Sequence, residues 1–304
     1  MTTFREILID TETELLTAGV FFGHGYESAH DEAVALVLAA ANLSLIDTSA
    51  AILDTEYPAA AELKLRSFLQ SRCQERLPVA YITGEAWLGN LCFKSDERAL
   101  VPRSPVAELI LSEFEPWYRG REATVIIDVC SGGGSLGMLA KSVFPAAQVV
   151  LSDLDSAALS LAIDNSLVHP VDGIVCGDLL SWCAADCVDI IIANPPYVDA
   201  EDMQSLPAEY RHEPGLALTG GDDGLDLVRV LLTDAARILR PSGILIVEVG
   251  NSFEALDGLS EQLNPIWVEL ARGGHGVAVF MAQDLAQWAS LDNTADTAAS
   301  VQRN

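Results

Sequence analysis

Basic residues are scarce in this chain: 17 Lys and Arg stand against 44 Asp and Glu, a formal net charge of −27. Holding a nucleic acid by its phosphates needs cations to release counterions, so the balance argues against direct nucleic-acid binding. A basic protein partner suits such a surface through complementary steering, and solubility or a salty habitat accounts for the charge equally well. Long apolar runs are also missing. The longest, residues 33–46, is interrupted by Asn42 and is too short to span a bilayer, so no membrane association is expected. No positively charged, apolar leader opens the sequence, and Thr2-Thr3-Phe4-Arg5-Glu6 reads as an ordinary soluble terminus. The six cysteines (73, 92, 130, 176, 183 and 187) form no C-x-x-C pair in a chain too large to need stapling, which points to reduced thiols and a cytoplasmic setting. Cys176, Cys183 and Cys187 lie near one another without a histidine, and His24 and His30 have no ligand-spaced companions, so no metal is expected.

What is present is enough for a core. Half of the 304 residues are hydrophobic, which excludes disorder for most of the chain and fits two domains. Residues 1–77 read as a helical domain. Phe4, Ile7, Leu8, Leu15 and Leu16 recur at helical spacing, Asp31-Glu32 precede an Ala- and Leu-rich run, and Pro58 opens an amphipathic stretch through Leu69. Residues 78–101 change to short β-prone pieces, Tyr81-Ile82-Thr83 and Leu91-Cys92-Phe93 around Gly89-Asn90, and read as a linking hairpin. From residue 102 to about 290, strands and helices alternate. Strands are expected at 125–127, 148–151, 173–175, 188–193 and 243–249, with two late ones at 266–270 and 277–281 that lack a helix-length spacer and suit antiparallel pairing. Such alternation predicts an α/β fold with a doubly wound, mostly parallel, Rossmann-like sheet. Residues 291–304, small and polar, read as a disordered tail.

Asn194-Pro195-Pro196-Tyr197 follows the apolar run from Val188 to Ala193, which reads as a buried parallel strand. Two prolines end a strand abruptly, because neither donates a ladder hydrogen bond and each fixes its own φ. The turn therefore holds the asparagine side chain and backbone carbonyls at the carboxyl edge of the sheet, where open α/β sheets place ligands. A stiff set of acceptors suits a planar NH2 group, either an amide or the exocyclic amine of a base.

A second constellation, Asp128-Val129-Cys130-Ser131-Gly132-Gly133-Gly134, leaves the first strand and opens a helix. Its glycines permit a sharp turn and close approach of a ligand to backbone, and the loop has no lysine, which argues against a phosphate cradle. Asp153 ends the second strand roughly twenty residues on, where it can accept from ribose hydroxyls. NAD and S-adenosylmethionine enzymes share this logic. An acid at the head of the loop is unwelcome beside a pyrophosphate, so Asp128 favours S-adenosylmethionine, whose ammonium it can face. Asp178, after the third strand, is placed to meet an adenine amino group, with Leu179 packing on the ring.

Taken together, these residues resemble class I S-adenosylmethionine-dependent methyltransferases that modify a glutamine side-chain amide in proteins of the translation apparatus. The resemblance runs from about Val79 to Phe280, and the helical domain before it has the expected length. The tetrad is shared with adenine and cytosine amino-methyltransferases. More specific are Val101-Pro102-Arg103-Ser104-Pro105, Tyr210-Arg211-His212-Glu213-Pro214 and Gly220-Gly221-Asp222-Asp223-Gly224-Leu225. The release-factor branch usually carries Pro-Asp-Thr-Glu after that arginine, whereas Arg103-Ser104-Pro105 resembles the branch acting on large-subunit ribosomal protein three. Gly133 stands where Ser or Thr is common, and Asp155 replaces a frequent Ser.

The resemblance implies S-adenosylmethionine as cofactor, held by Asp128, Cys130 to Gly134, Asp153, Asp178, Leu179 and Asn194. It implies catalysis by Asn194, Pro195, Pro196 and Tyr197, with Asn194 Oδ1 and the Pro195 carbonyl accepting the two amide N–H groups. Arg103, Arg211 and Glu213 are candidates for substrate contact, with surface or interdomain ion pairs as the plainer reading. The Gly220 to Gly224 run reads as a turn and helix start. An exocyclic-amine methyltransferase for RNA or DNA shares the tetrad but lacks a basic, aromatic-rich strip here. A silent S-adenosylmethionine-binding assembly protein and an NAD-dependent dehydrogenase are the remaining alternatives.

Overall fold

The structure, a computed structural model, describes residues 2–46, 48–119, 122–259, 263–271 and 273–301, with the backbone alone for 292–301. Three helices open it: α1 (Phe4–Ala18), α2 (Ala29–Ala40) and α3 (Ala59–Cys73). Their starts follow capping chemistry. Thr3 and Glu6 form a reciprocal capping box on α1, Ser28 accepts the Asp31 N–H on α2, and Gly19 closes α1 in the left-handed region. Phe4, Leu15, Leu36, Leu65 and Leu69 pack into a hydrophobic cluster belonging to these helices.

The segment 79–83 differs from expectation. It is a short helix, α4 (Val79–Thr83), between Pro78 at its start and Gly84 in the left-handed region at its end. The β-prone Tyr81-Ile82-Thr83 therefore yields to a Pro start and Gly stop that define a single helical turn. The hairpin itself is β1 (Glu85–Leu88) and β2 (Leu91–Lys94), antiparallel around Gly89-Asn90.

After α5 (Val106–Leu111) come β3 (Val125–Val129), α6 (Ser135–Val143), β4 (Gln148–Asp153), α7 (Ser156–Ser166), β5 (Gly173–Cys176) and β6 (Val188–Ala193). They are followed by α8 (Asp202–Ser205), α9 (Asp226–Ile238), β7 (Leu239–Glu248), α10 (Phe253–Asp257), β8 (Ile266–Trp267), β9 (Val277–Met281) and α11 (Ala282–Val301). The sheet order is β5-β4-β3-β6-β7-β9-β8, with β9 antiparallel to both β7 and β8 and all other neighbours parallel. Every residue of β6 is buried, because helices cover both faces. Ile190, Ile192, Ile244 and Ile246 point into a cluster with Ile110 and Leu139, while Ile191, Leu245 and Val247 meet Val228, Leu231 and Leu232 of α9. Because β3, β4, β5, β6 and β7 run parallel, their carboxyl ends share one edge of the sheet.

α11 runs as far as Val301, within the segment read from the sequence as a tail. Its alanines, the strongest helix formers, extend the preceding turns. Residues 302–304 lie outside the described residues. Among the described residues no helix is long and apolar enough to cross a membrane.

Candidate active site

A cavity of about 420 Å³ opens at that shared strand edge. Asp128, Cys130, Ser131, Gly132, Gly133, Asp153, Asp178, Leu179, Asn194, Pro196, Tyr197 and Arg103 all line it, so most of the residues singled out in the sequence meet in one place. Four do not. Pro195 and Glu213 are buried away from the wall, Arg211 is exposed outside it, and Gly134 sits behind the loop.

The glycine-rich turn is built from both sides. Asp128 is 1% exposed, and its Oδ2 accepts the Gly137 N–H at 2.7 Å, tying the end of β3 to the first turn of α6. Its Oδ1 and the Ser131 hydroxyl are buried with no hydrogen-bond partner among the described residues. Burial pushes the Asp128 carboxyl up to about 7, further raised by Asp153 and opposed by the Gly137 N–H. Asp153 Oδ2 accepts the Gly132 N–H at 2.8 Å and Oδ1 the Asp155 N–H at 2.9 Å, fixing the loop against β4. Asp155 itself caps α7 through the Ala157 N–H, so the acid standing in place of serine keeps the capping function. Gly134 has φ +84, and a Cβ there would lie 2.7 Å from Leu151 Cδ1. Its smallness serves the packing of α6 on β4. At Gly133 a Cβ would sit 3.2 Å from Leu161 Cδ2, so a bulkier residue would have to displace that leucine. Asp178 is exposed at the cavity rim, and Leu179 is buried beneath it at φ +45.

The tetrad occupies the opposite wall. The Asn194 side chain makes no hydrogen bond among the described residues, and the residue lines the cavity. Pro196 lines the wall; Pro195 does not, so the expected use of its carbonyl as second acceptor gains no support from the geometry. Tyr197 is held on several sides. Its Oη donates to Glu248 Oε1 at 2.8 Å, and its carbonyl accepts from Ser252 Oγ at 2.9 Å. A Cβ on Gly250 would lie 2.5 Å from the Tyr197 ring, and one on Gly220 would lie 2.7 Å from Tyr197 Cα. The Gly220 to Gly224 run is thus a turn before α9, and also part of a tight cradle for the tetrad.

Arg103 and Glu213 form a bidentate pair, Nη1 to Oε1 at 2.6 Å and Nη2 to Oε2 at 2.8 Å. The Glu213 side chain is 0% exposed, so it holds the loop after β6 inward instead of presenting a charge to substrate. The Arg103 guanidinium also lies 5.3 Å from the Tyr210 ring centroid. Both residues belong to the 102–290 region, so the pair is an internal tie of that domain and not a bridge between domains.

Sequence reasoning missed three groups. Glu248, 6% exposed, accepts from Tyr197 and from Ser104 Oγ at 2.5 Å. Its only sequence signal is an acid closing the apolar run 244–247 at the end of β7. His24 Nε2 stands 3.3 Å from Glu213 Oε2. Arg72 of α3, fully buried, meets Glu32, Glu209 and the Phe21 carbonyl. Among the described residues no cluster of His, Cys, Asp and Glu is arranged to hold a metal.

Residues 106–209 match the Methyltransferase small domain family. The ribosomal protein uL3 glutamine methyltransferase of Xanthomonas campestris is 42% identical over 270 residues, covering 88% of this chain and 87% of that protein. Proteins of the same description from Francisella tularensis and Bordetella pertussis are 36% and 38% identical, each over more than nine-tenths of both chains. Relatedness of this degree along nearly the full length, joined to a tetrad and glycine-rich turn on one cavity, means that the chain belongs to the ribosomal protein uL3 glutamine methyltransferase family.

Proposed function

We propose that this chain transfers a methyl group from S-adenosylmethionine to the side-chain amide nitrogen of a glutamine in ribosomal protein uL3. The observation that carries the reading is Asn194: a side chain with no partner among the described residues, fixed at the carboxyl end of β6 and facing a cavity. The residues opposite fit the cofactor. Asp128 Oδ1 and Ser131 Oγ are orphaned buried polar atoms of the kind a bound ligand satisfies, and the Gly132 turn lets a ligand approach backbone. Asp128, Ser131, Gly132 and Asp153 would hold its amino-acid and ribose portions, and Asp178 with Leu179 its base. When bound, it supplies an electrophilic methyl on a sulfonium.

The work left to the protein is positioning. An amide nitrogen is a weak nucleophile because its lone pair is delocalised into the carbonyl, so its orientation and desolvation decide the rate. Asn194 Oδ1 accepts one amide N–H and turns the nitrogen toward the cofactor side of the cavity. Pro196 and Tyr197 form a slot that admits a flat group, and Glu248 and the glycine cradle stop Tyr197 from turning away. The methylated nitrogen then sheds its extra proton readily, so a strong base is not needed. The charge of −27 suits a basic protein substrate, and kcat/KM toward uL3 should fall as salt screens that attraction.

The test is labelled-methyl transfer with uL3 and a release factor offered in parallel, followed by peptide mass spectrometry. One labelled glutamine in uL3 alone is the expected result. Asn194→Ala should retain cofactor binding and lose at least ~100-fold in turnover, by analogy with removing one preorganised oxyanion donor. Near-normal turnover in that variant would overturn the role given to Asn194.

A further inference from the structure

Glu248 is an expensive residue for its position. It interrupts the apolar run 244–249 and is almost completely enclosed, and a buried carboxylate is unfavourable unless something compensates it. Both of its oxygens are engaged: Tyr197 Oη donates to Oε1 and Ser104 Oγ donates to Oε2. The Ser104 oxygen already accepts the Val106 N–H at 3.3 Å, which leaves the serine proton for the carboxylate. Two hydroxyls donating to the two oxygens is the pattern an ionised carboxylate makes. Burial raises its pKa, while Ser104, Tyr197 and Arg103 oppose that rise. The titratable or charged groups facing it are Tyr197 from the turn after β6 and Arg103 from the segment before α5.

Holding a tyrosine hydroxyl does not require an acid. A glutamine would accept the same bond through its carbonyl and donate to Ser104, without the burden of a buried charge. The charge therefore calls for a reason, and the reaction at the tetrad provides one. A newly methylated amide nitrogen carries positive charge until its proton leaves, and a fixed anion in a water-poor cavity lowers the energy of such a charge.

We infer that Glu248 is a positioning residue for methyl transfer: acting through Tyr197, it fixes the wall of the amide slot and sets one negative charge behind it, offsetting the charge the amide nitrogen carries before deprotonation. The inference rests on the glutamine-amide reading of the tetrad. Ser104, from the Arg103-Ser104-Pro105 run, becomes a supporting part of the site, because its hydroxyl helps keep the acid ionised.

The experiment compares wild type, Glu248→Gln and Ser104→Ala by methyl transfer to uL3 across pH, with cofactor affinity by calorimetry and infrared difference spectra. Gln keeps the hydroxyl bonds, so cofactor affinity should hold while kcat falls at least ~10-fold with little change in KM. The acid limb of the wild-type kcat profile should disappear in this variant. The wild-type minus Glu248→Gln spectrum should show an ionised carboxylate band at neutral pH. A Glu248→Gln enzyme within about 3-fold of wild type, with its acid limb intact, overturns the inference. If that variant does not fold or bind cofactor, Ser104→Ala decides. Loss of one donor should move the acid limb to higher pH, and an unmoved limb overturns the inference. Wild type inert toward uL3 would remove the amide reading and this inference together, whereas an active wild type beside an unaffected Glu248→Gln removes the inference alone.

Discussion

Arg103 and Glu213 bridge the segment before α5 and the loop after β6 through two parallel hydrogen bonds, and the same carboxylate accepts the Val101 N–H at 3.0 Å. Burial alone would raise the Glu213 pKa, but Arg103 and His24 outweigh it and hold the group at about 2. A carboxyl whose folded value lies below its ordinary one contributes stability above that ordinary value and loses it as pH falls through the folded value. The window here runs from about pH 4.5 down to about 2. His24 acts in the same direction: burial lowers its pKa, so acid must charge a buried imidazole. Urea denaturation at about pH 7 and about pH 3 should differ by on the order of 2 kcal/mol more in wild type than in Glu213→Gln, which lacks the titrating group. Equal pH dependence in the two proteins would refute the assignment.

Asp128 makes the opposite prediction. Its pKa is raised to about 7 by burial, so without a cationic partner the folded state favours the protonated form, and stability declines as pH rises from the ordinary carboxylate value through about 7. A ligand ammonium reverses this preference. Cofactor affinity should therefore rise between about pH 6 and 7.5, and Asp128→Asn should remove the rise and weaken binding by about 10-fold or more, the scale of a hydrogen bond to a charged group. The variant should also be more stable than wild type at alkaline pH without ligand. Calorimetric titration and thermal melts read the two effects separately.

How far these features could be read beforehand depends on the kind of signal. Parallel strands buried on both faces appear as apolar runs, and the polar residues that end them, Asp128, Asp153, Asp178 and Asn194, mark the ligand edge without any knowledge of contacts. Glu248 obeys the same rule at the end of β7 and could have been found by it. Tyr81-Ile82-Thr83 misled because β-propensity is weak beside a Pro start and Gly stop with five residues between them. The partners of Arg72, at positions 32 and 209, are joined only by tertiary folding, and no local pattern marks them. Glu213 illustrates the remaining difficulty: the motif holding it stood out, but whether the side chain turns inward or toward substrate is decided by Arg103 and His24.

The glycine cradle yields a packing prediction. Gly224 has φ +76, and a Cβ there would overlap both Ser252 Oγ and the Tyr197 carbonyl oxygen. Gly224→Ala combines left-handed strain with a clash against backbone and should destabilise the protein by roughly 2–4 kcal/mol. Because the Tyr197 carbonyl belongs to the tetrad and Ser252 holds it, turnover should fall more than cofactor affinity does. An alanine variant with a wild-type melting temperature and rate would show that the loop relaxes freely and that the cradle is not required.

Arg72 tests how firmly the opening helices are attached to the active-site loop. Its Nε and Nη2 donate to the two Glu32 oxygens at 2.7 and 3.0 Å, Nη1 donates to Glu209 at 3.1 Å, and Nη2 also reaches the Phe21 carbonyl at 2.6 Å. Glu209 additionally accepts the Phe21 N–H at 2.9 Å, so one buried cation joins α2, α3 and the segment after α1 to the loop following the tetrad. Arg72→Met would leave buried Glu32 without its counterion and Glu209 with Arg76 alone at 3.8 Å, and should lose about 3–5 kcal/mol. Arg72→Lys keeps the charge but offers no planar fork, and should fall between Met and wild type. In the lysine variant the loop around 198–219 should become more sensitive to limited proteolysis, and KM for uL3 should rise while cofactor affinity stays constant. A lysine variant with wild-type protease resistance and KM would mean that the charge alone docks the helices and that the bidentate geometry is dispensable.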